Sequence, residues 1–357
     1  MLSSIIILLI ISCVLSTMLI KFIIKYAYNH SLFDLHTKRK IHKGDVPRLG
    51  GVAFVPVASI SFICGSLIFF NKGVIVDDNI KPIIGLVVSV VIMYIFGVLD
   101  DIKGLRYRTK FIYQFVVGLV LCLTGFMLNN FNGLLGLFEL PYMFGVCITL
   151  LLVILSINAF NFIDGIDGLS SSIAILSFIY YSFILYQNCN YLYLLPLSFI
   201  SVLLPFFYFN FFGNTSRQRK TFMGDTGSTV LGLVLCVLAI SISCDPKTTT
   251  LHQNSFIVAF APLLLPYFDV VNVVIYRLLK GRNPFKADDN HFHHKLLRLG
   301  LSQHSTLIVE LIVFLFITGF SVYLSNYLGI NAVIAIMLIT WLVVNAFMTR
   351  VLEKRSR

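Results

Sequence analysis

Long apolar stretches with almost no charged side chains recur along the whole chain and restrict what it can fold into. A helix needs about 20 apolar residues to cross the hydrocarbon layer of a bilayer, because each residue adds about 1.5 Å. Eleven stretches approach this length: 2–24, 50–70, 82–99, 111–128, 140–160, 169–186, 191–212, 227–244, 255–276, 305–326 and 329–349. Only 12% of the 357 residues are charged, too few to cover a soluble globule of this size. The sequence therefore predicts an all-α fold, a polytopic transmembrane helical bundle of about eleven spans.

The basic residues lie on one side of the predicted spans. All 27 Lys and Arg residues except Lys72, Lys81 and Lys247 fall in segments that the alternation of spans places together: 21–49, 100–110, 161–168, 213–226, 277–304 and 350–357. Cytoplasmic loops of membrane proteins are enriched in Lys and Arg. The bias predicts a periplasmic N-terminus and a cytoplasmic C-terminus. The net charge of +11 then belongs to the cytoplasmic face, whose expected partners are membrane lipids and phosphorylated substrates and not nucleic acid.

No repeat, linker or low-complexity tract divides the chain. We therefore expect one integral membrane domain over residues 1–357, with catalytic chemistry in cytoplasmic loops near 25–49, 100–110, 158–168, 213–228 and 277–304. Cys189 and Cys244 fall on the outer side. A disulfide between them stays open, because nothing in the sequence brings the two thiols together.

Five of the sixteen acidic residues lie at the predicted cytoplasmic ends of spans: Asp100, Asp101, Asp164, Asp167 and Asp225. A carboxylate at the centre of a bilayer costs about 2.5–3.5 kcal/mol, and neighbouring carboxylates also repel one another. A shared cation would relieve both effects, and Mg²⁺ prefers carboxylate and phosphate oxygens. For Asp100 and Asp101 alone, solvated pairing with nearby Lys and Arg is the plainer interpretation.

Polar residues recur at every third position between Asn158 and Asp167. The register contains Asn158, Asn161, Asp164 and Asp167, with a glycine directly after each aspartate and no basic residue. Three-residue spacing would stack these side chains along one side of a tight or broken helix, and the glycines would let backbone approach a ligand. A surface loop would also be polar and rich in glycine, but it would not need this strict register.

Two further segments carry candidate ligands for phosphate. Asp225 lies in Gly224-Asp225-Thr226-Gly227 at the start of a span, where it could be a helix cap or part of a metal–phosphate site. The loop 277–304 contains His291, His293 and His294 among basic residues that include Arg282. Zinc is the alternative there, but no cysteine lies in the loop, and a histidine-rich cationic loop suits a diphosphate better.

Two acidic residues lie inside predicted spans. Asp269 precedes Arg277 by eight residues, so its side chain can point into the bundle toward the basic loop. Glu310 lies near the start of the tenth span, where we favour a structural role.

Five motifs in this order resemble the polyprenyl-phosphate N-acetylhexosamine-1-phosphate transferase superfamily, which includes glycosyltransferase family 4. They are PRLGG at 47–51, LDD at 99–101, NAFNFIDGIDGL at 158–169, FMGDTGS at 222–228 and GRNPFKADDNHFHH at 281–294. The HFHH form resembles the H-I-H-H of bacterial enzymes that begin O-antigen, enterobacterial common antigen or teichoic-acid synthesis from UDP-N-acetylglucosamine. Phe292 departs from the aliphatic residue of that motif, which leaves the sugar open.

The resemblance implies a reaction in the bacterial cytoplasmic membrane. Undecaprenyl phosphate would attack the β-phosphorus of a UDP-N-acetyl sugar, most simply UDP-N-acetylglucosamine, and release UMP. This would be the first membrane step of a cell-surface polysaccharide such as lipopolysaccharide or a cell-wall polymer. Other UDP sugars remain alternatives, namely N-acetylgalactosamine, a 6-deoxy amino sugar or MurNAc-pentapeptide. A secondary transporter is the alternative of another class, although its acids would lie at the midplane within inverted repeats.

The same resemblance implies roles for individual residues. Asp225 and Asn161 would bind Mg²⁺, with Mn²⁺ as the alternative ion, and Asp100 and Asp101 would act at the lipid phosphate as base or orienting carboxylates. Asp164 and Asp167 would order the nucleotide site. The remaining assignments concern the substrates: His291, His293, His294 and Arg282 at the diphosphate and sugar, and Asn158 as a substrate-binding residue. For the lipid phosphate, we expect contacts from Arg48 and Lys110. A homodimer is left open.

Overall fold

The computed structural model describes residues 2–33, 46–70, 80–188, 190–252, 254–281 and 290–355. Arg282 and Cys189 lie outside these ranges, so the roles predicted for them stay predictions. The helices of the described residues are α1 Leu2–Asn29, α2 Phe54–Phe70, α3 Lys81–Lys103, α4 Tyr107–Thr124, α5 Tyr142–Ile163, α6 Leu169–Gln187, α7 Leu194–Phe211, α8 Gly224–Cys244, α9 Pro246–Leu251, α10 Ser255–Phe260, α11 Leu264–Leu279, α12 Phe292–Arg298, α13 Gln303–Leu324 and α14 Ile330–Arg355. The strands β1 Asn130–Leu134 and β2 Leu137–Glu139 form one antiparallel hairpin.

The polytopic helical fold is confirmed. Within the described residues, ten helical segments are long and apolar enough to cross a membrane; one of them, Ser255–Leu279, combines α10, a short 3₁₀ turn and α11. The span predicted at 111–128 corresponds to α4, which is not among the ten. Its 18 residues include Arg108 and Lys110 near the N-terminal end, and these charges lower its mean hydropathy. The hairpin between α4 and α5 was not predicted from the sequence.

The chain forms two compact units, with boundaries after α4 at residue 126, within α6 and within α8. Unit 1 comprises residues 1–126 and 174–235. In it, α1 packs against α2 and α7, and α3 packs against α4. The amide of Gly51 donates to the Met223 carbonyl at 2.9 Å, so that the PRLGG segment lies directly against FMGDTGS. A Cβ at Gly51 would lie 2.4 Å from the backbone of Gly227, and therefore only glycine fits this contact.

Unit 2 comprises residues 127–173 and 236–357. Its helix α5 packs against α11, and α12 packs against α13 and α14. Asn331 holds the hairpin to the start of α14, because its side chain accepts from the Leu135 amide at 2.8 Å and donates to the Gly133 carbonyl at 3.0 Å. The prediction of a single domain stays a prediction.

Candidate functional site

The acidic cluster of unit 1 consists of Asp100, Asp101 and Asp225 with Lys110 and Arg48. The Lys110 ammonium contacts the carboxylate of Asp100 and lies 2.6 Å from Asp225 Oδ2. The Arg48 guanidinium lies 4.0 Å from Asp225 Oδ1, and Asp100 Oδ1 also accepts from the Leu105 amide at 2.7 Å. The end of α3 and the starts of α4 and α8 therefore bring together the predicted lipid-phosphate residues and one predicted metal ligand.

Lys110 is half-buried between two carboxylates. Burial lowers its pKa, but the negative charges of Asp225 and Asp100 raise it by more, so the pKa of the ammonium lies above its ordinary value. The side chain therefore stays protonated at neutral pH. One fixed cation balances two carboxylates that would otherwise repel each other.

Asp101 caps α8. Its Oδ1 accepts from the amide of Asp225 at 2.7 Å, and its Oδ2 accepts from the Thr226 amide at 3.0 Å and the Thr226 hydroxyl at 2.6 Å. A carboxylate at this end satisfies free amides and favourably opposes the positive end of the helix dipole. The sequence left open whether Asp225 is a cap or part of a phosphate site. The structure shows that Asp101, from another helix, is the cap, and that Asp225 lies inside the first turn of α8.

Gly224 makes this arrangement sterically feasible. It has a φ of +74°, and a Cβ there would lie 2.1 Å from the Arg48 carbonyl oxygen and 2.6 Å from Asp101 Oδ2. Both the backbone conformation and the space therefore require glycine. The glycine of the FMGD motif admits the carboxylate that caps the helix.

The motif between Asn158 and Asp167 belongs to unit 2 and breaks a helix as expected. Asn158 and Asn161 lie in the last turns of α5, which ends at Ile163, whereas Asp164 and Asp167 lie in the turn before α6. The Asn158 amide donates to the Ile154 carbonyl at 2.7 Å, and Asp167 is buried. The four side chains therefore do not follow one helical face; the helix ends between the second and the third.

The three predicted histidines lie at the start of α12, also in unit 2. The ring centroids of His291 and His293 are 5.8 Å apart, and those of His293 and His294 are 4.2 Å apart. His291 Nδ1 lies 2.7 Å from Asp269 Oδ2 on α11, and its ring lies 5.3 Å from that of Phe162. The expectation that Asp269 points toward the basic loop is therefore correct. Glu310, for which a structural role was favoured, is buried in α13.

His293 is a packing residue for the 158–168 turn. Only 1% of it is exposed, and its Nε2 has no hydrogen-bond partner among the described residues. A Cβ at Gly165 would lie 2.3 Å from that Nε2, so the ring lies directly against the glycine. Burial, followed by the charges of His294 and His291, lowers the pKa of His293 well below its ordinary range. His293 is therefore neutral at pH 7, and its predicted role at the diphosphate and sugar stays a prediction.

Sequence reasoning missed several partners in these two clusters. Thr226 and the Leu105 amide hold the paired aspartates, and Phe162 packs against His291. Only the helix-start pattern of Gly224-Asp225-Thr226 could have indicated one of them. Within the described part of the chain, no group of three or more His, Cys, Asp or Glu is arranged to hold a metal ion by itself.

Comparisons with known proteins agree with the motifs. Residues 83–243 match glycosyl transferase family 4. A Bacillus subtilis protein named "Probable undecaprenyl-phosphate N-acetylglucosaminyl 1-phosphate transferase" is 28% identical over 328 residues, covering 91% of this chain and 86% of that protein. The undecaprenyl-phosphate alpha-N-acetylglucosaminyl 1-phosphate transferase of Escherichia coli K12 is 29% identical over 297 residues, covering 82% and 77%.

A relative named for a different polyprenyl phosphate is similar to this chain to the same degree. The decaprenyl-phosphate N-acetylglucosaminephosphotransferase of Mycobacterium tuberculosis H37Rv is 28% identical over 296 residues, covering 78% of this chain and 72% of that protein. All three likenesses extend well beyond the 83–243 segment. The resemblance indicated by the five motifs is confirmed: the chain is a multi-pass membrane protein similar, over most of its length, to polyprenyl-phosphate N-acetylglucosamine-1-phosphate transferases.

Proposed function

We propose that this chain transfers N-acetylglucosamine 1-phosphate from UDP-N-acetylglucosamine to undecaprenyl phosphate. An oxygen of the lipid phosphate attacks the β-phosphorus and forms a new P–O bond. The bond from that phosphorus to the bridging oxygen breaks, and UMP leaves with the electron pair. The products are undecaprenyl-diphospho-N-acetylglucosamine and UMP. The observation that carries this proposal is the acidic cluster, in which two predicted lipid-phosphate cations lie against Asp225 at the ends of apolar helices.

Charge neutralisation is the main task of such a site. A phosphate monoester has a second pKa near 6, so the lipid phosphate is mostly dianionic at pH 7 and needs little base catalysis. Two anions must meet, and fixed cations that oppose their charge lower the barrier. Lys110 and Arg48 are the cations that we assign to the lipid phosphate. Direct attack is therefore preferred over a covalent aspartyl intermediate.

Magnesium fits the donor groups of the acidic cluster. Mg²⁺ usually binds one or two protein carboxylates and completes its shell with water and substrate phosphates, so a cluster of three or more protein ligands is not required. Asp225 and Asp100 could supply these carboxylates; in the structure, both contact Lys110. The resemblance also implies that Asn161 is a magnesium ligand, and this role stays a prediction. When bound, the ion would neutralise phosphate charge; Mn²⁺ is the alternative.

We assign the donor substrate to the polar residues of unit 2. Asp164, Asp167 and Asn158 would order the nucleotide, and His291 and His294 would contact the diphosphate and sugar. Arg282 keeps the same predicted role. We place the reaction at the cytoplasmic face of the bacterial inner membrane, as the first membrane step of a surface polysaccharide, because the basic residues predict that orientation.

A direct assay tests the proposal. Purified protein in detergent would receive undecaprenyl phosphate, Mg²⁺ and one UDP sugar at a time: N-acetylglucosamine, N-acetylgalactosamine, a 6-deoxy amino sugar or MurNAc-pentapeptide. We expect UMP and a lipid diphosphate sugar, with N-acetylglucosamine as the best donor. Release from another sugar alone would change the substrate assignment. No UMP from any donor would contradict the proposal and favour a transporter.

A further inference from the structure

Both carboxylate oxygens of the buried Asp269 form hydrogen bonds to the residues at the start of α12. Its Oδ2 lies 2.7 Å from His291 Nδ1, and its Oδ1 accepts from the Phe292 amide at 2.9 Å. Asp269 and His291 are each 5% exposed. An ionised carboxylate can only accept hydrogen bonds, so Nδ1 of His291 must carry a proton in this contact.

This contact determines which nitrogen of His291 is available. With Nδ1 protonated and engaged, Nε2 is the atom that can meet a ligand. Among the described residues, Nε2 of His291 has no hydrogen-bond partner. This atom is accessible to solvent, whereas Nε2 of His293 is fully buried. The ring also lies against Phe162, which restricts its rotation.

We propose that Asp269 is a positioning residue for the transfer reaction: by accepting the Nδ1–H of His291, it holds that ring in one tautomer and one orientation, with Nε2 presented to the donor substrate. The inference rests on the proposed function and deepens it, because neither the five motifs nor the comparisons assign a role to Asp269. The hydrogen bond that one ring nitrogen makes commonly decides what the other nitrogen can do.

Helix capping alone does not explain Asp269. Its bond to the Phe292 amide caps α12, but asparagine caps a helix about as well as aspartate. A carboxylate within an apolar helix costs about 2.5–3.5 kcal/mol on insertion scales, so the charge needs a further reason. An asparagine here could still accept from Phe292, but its amide group would face Nδ1 as a donor. Such a change reverses the tautomer while leaving the shape intact.

Asp269→Asn therefore separates the two roles. We expect kcat for UMP release to fall about 10- to 100-fold, as for other partners that orient a histidine, with a small change in KM and a melting temperature near that of the wild type. In an H291Q background, D269N should cause no further loss. The proposal would be overturned if D269N kept the wild-type kcat, or if the double variant lost activity by the product of the two single losses.

Glu310→Gln is the matched control. Glu310 is a buried carboxyl of the same unit, 4% exposed, and interacts electrostatically with Asp269, but within the described residues it makes no hydrogen bond to His291, His293 or His294. The same exchange of a carboxyl group for an amide should leave kcat within about twofold, because Nδ1 of His291 bonds to Asp269 and not to Glu310, so the tautomer of His291 is unchanged. If E310Q lost as much kcat as D269N, any amide introduced at a buried carboxyl position would disturb this unit, and the specific role of Asp269 would be overturned.

A spectroscopic measurement tests the tautomer of His291 independently of enzyme activity. Solid-state ¹⁵N NMR of histidine-labelled protein at pH 8, with H291Q to identify the signal, should show His291 protonated at Nδ1 and bare at Nε2. In D269N, Nδ1 should give the signal of an unprotonated nitrogen and Nε2 that of a protonated one. A wild-type ring protonated at Nε2 alone would overturn the positioning role. Absence of UMP release by the wild type, with the expected NMR signals, would instead overturn the proposed function and leave the Asp269–His291 pair intact.

Discussion

At the scale of single residues, Lys110 has the clearest consequence. Its ammonium contacts both Asp100 and Asp225, while the neighbouring Lys103 is exposed at the end of α3 and has no ion pair within the described residues. Lys110→Ala removes the cation that separates the two carboxylates. We expect UMP release to fall at least about 100-fold, in the range observed when a preorganised charge is removed from an active site. Lys103→Ala should retain nearly full activity; a similar loss in both variants would contradict the assignment.

His293 predicts how stability depends on pH. Its folded-state pKa is lowered, so the unfolded chain takes up a proton near its ordinary pKa of about 6.5 while the folded chain does not. The stability due to the neutral ring is present above that pH and is lost progressively as the pH falls below it. We expect the melting temperature in detergent to drop between pH 7.5 and 5.5, and to drop less in His293→Asn.

The exposed His30 supplies the control for this pH experiment. His30→Gln should leave the pH dependence of the wild type unchanged, because it removes an exposed imidazole and leaves the buried ring of His293 in place. If H293N loses as much stability as the wild type over this pH range, the buried neutral ring is not the cause.

At the scale of elements, the N-terminus of α8 depends on a residue from α3. Asp101 accepts from the Asp225 and Thr226 amides, so its removal frees the first turn that carries Asp225. Loss of a cap costs about 0.5–2 kcal/mol. We expect Asp101→Ala to lower the melting temperature and strongly reduce UMP release. Asp101→Asn should retain more of both, because its amide oxygen still accepts. Equal losses in the two variants would contradict a capping role.

The contact between α12 and the turn after α5 depends on the absence of one side chain. A Cβ at Gly165 would lie 2.3 Å from His293 Nε2, and the ring is buried and cannot easily move. Gly165→Ala should therefore destabilise the protein by about 1–3 kcal/mol, as overpacking does elsewhere. Thermal unfolding in detergent measures this effect.

Gly319 is the matched glycine for that experiment. It lies within α13, and nothing lies within 4 Å of its Cβ position. Gly319→Ala should be neutral or stabilising by up to about 1 kcal/mol, because alanine is the better helix former. If the two alanine variants have the same melting temperature, the packing of His293 on Gly165 is less tight than the distance indicates.

At the scale of the whole molecule, the membrane orientation is the remaining prediction. Lys103 precedes α4 and Leu135 follows it at the exposed tip of the hairpin. In a background without the seven native cysteines, an impermeant thiol reagent added to intact cells should label Leu135→Cys but not Lys103→Cys. Labelling of both positions would show that α4, which is not among the ten apolar helical segments of membrane-spanning length, does not cross the membrane.

The class of the fold follows from the sequence alone, which also predicts where along the chain the chemistry takes place. Apolar runs predict membrane helices because lipid forces every backbone group to bond within its own segment, and this signal is local. The acids at the ends of these runs are equally visible, since Asp100, Asp225 and Asp167 interrupt almost uncharged sequence. Motif order added the family resemblance, which the comparisons confirm.

Which of these residues contact each other depends on the tertiary structure. Asp101 and Asp225 are 124 residues apart, and no periodicity shows that one caps the helix of the other. In the same way, Asp269 and His291 look like separate features until the fold pairs them. Hydrogen bonds depend on distances of about 3 Å and on direction. Such geometry arises from the packing of distant segments, so a pattern along the chain can indicate that a polar residue matters but not which partner it has.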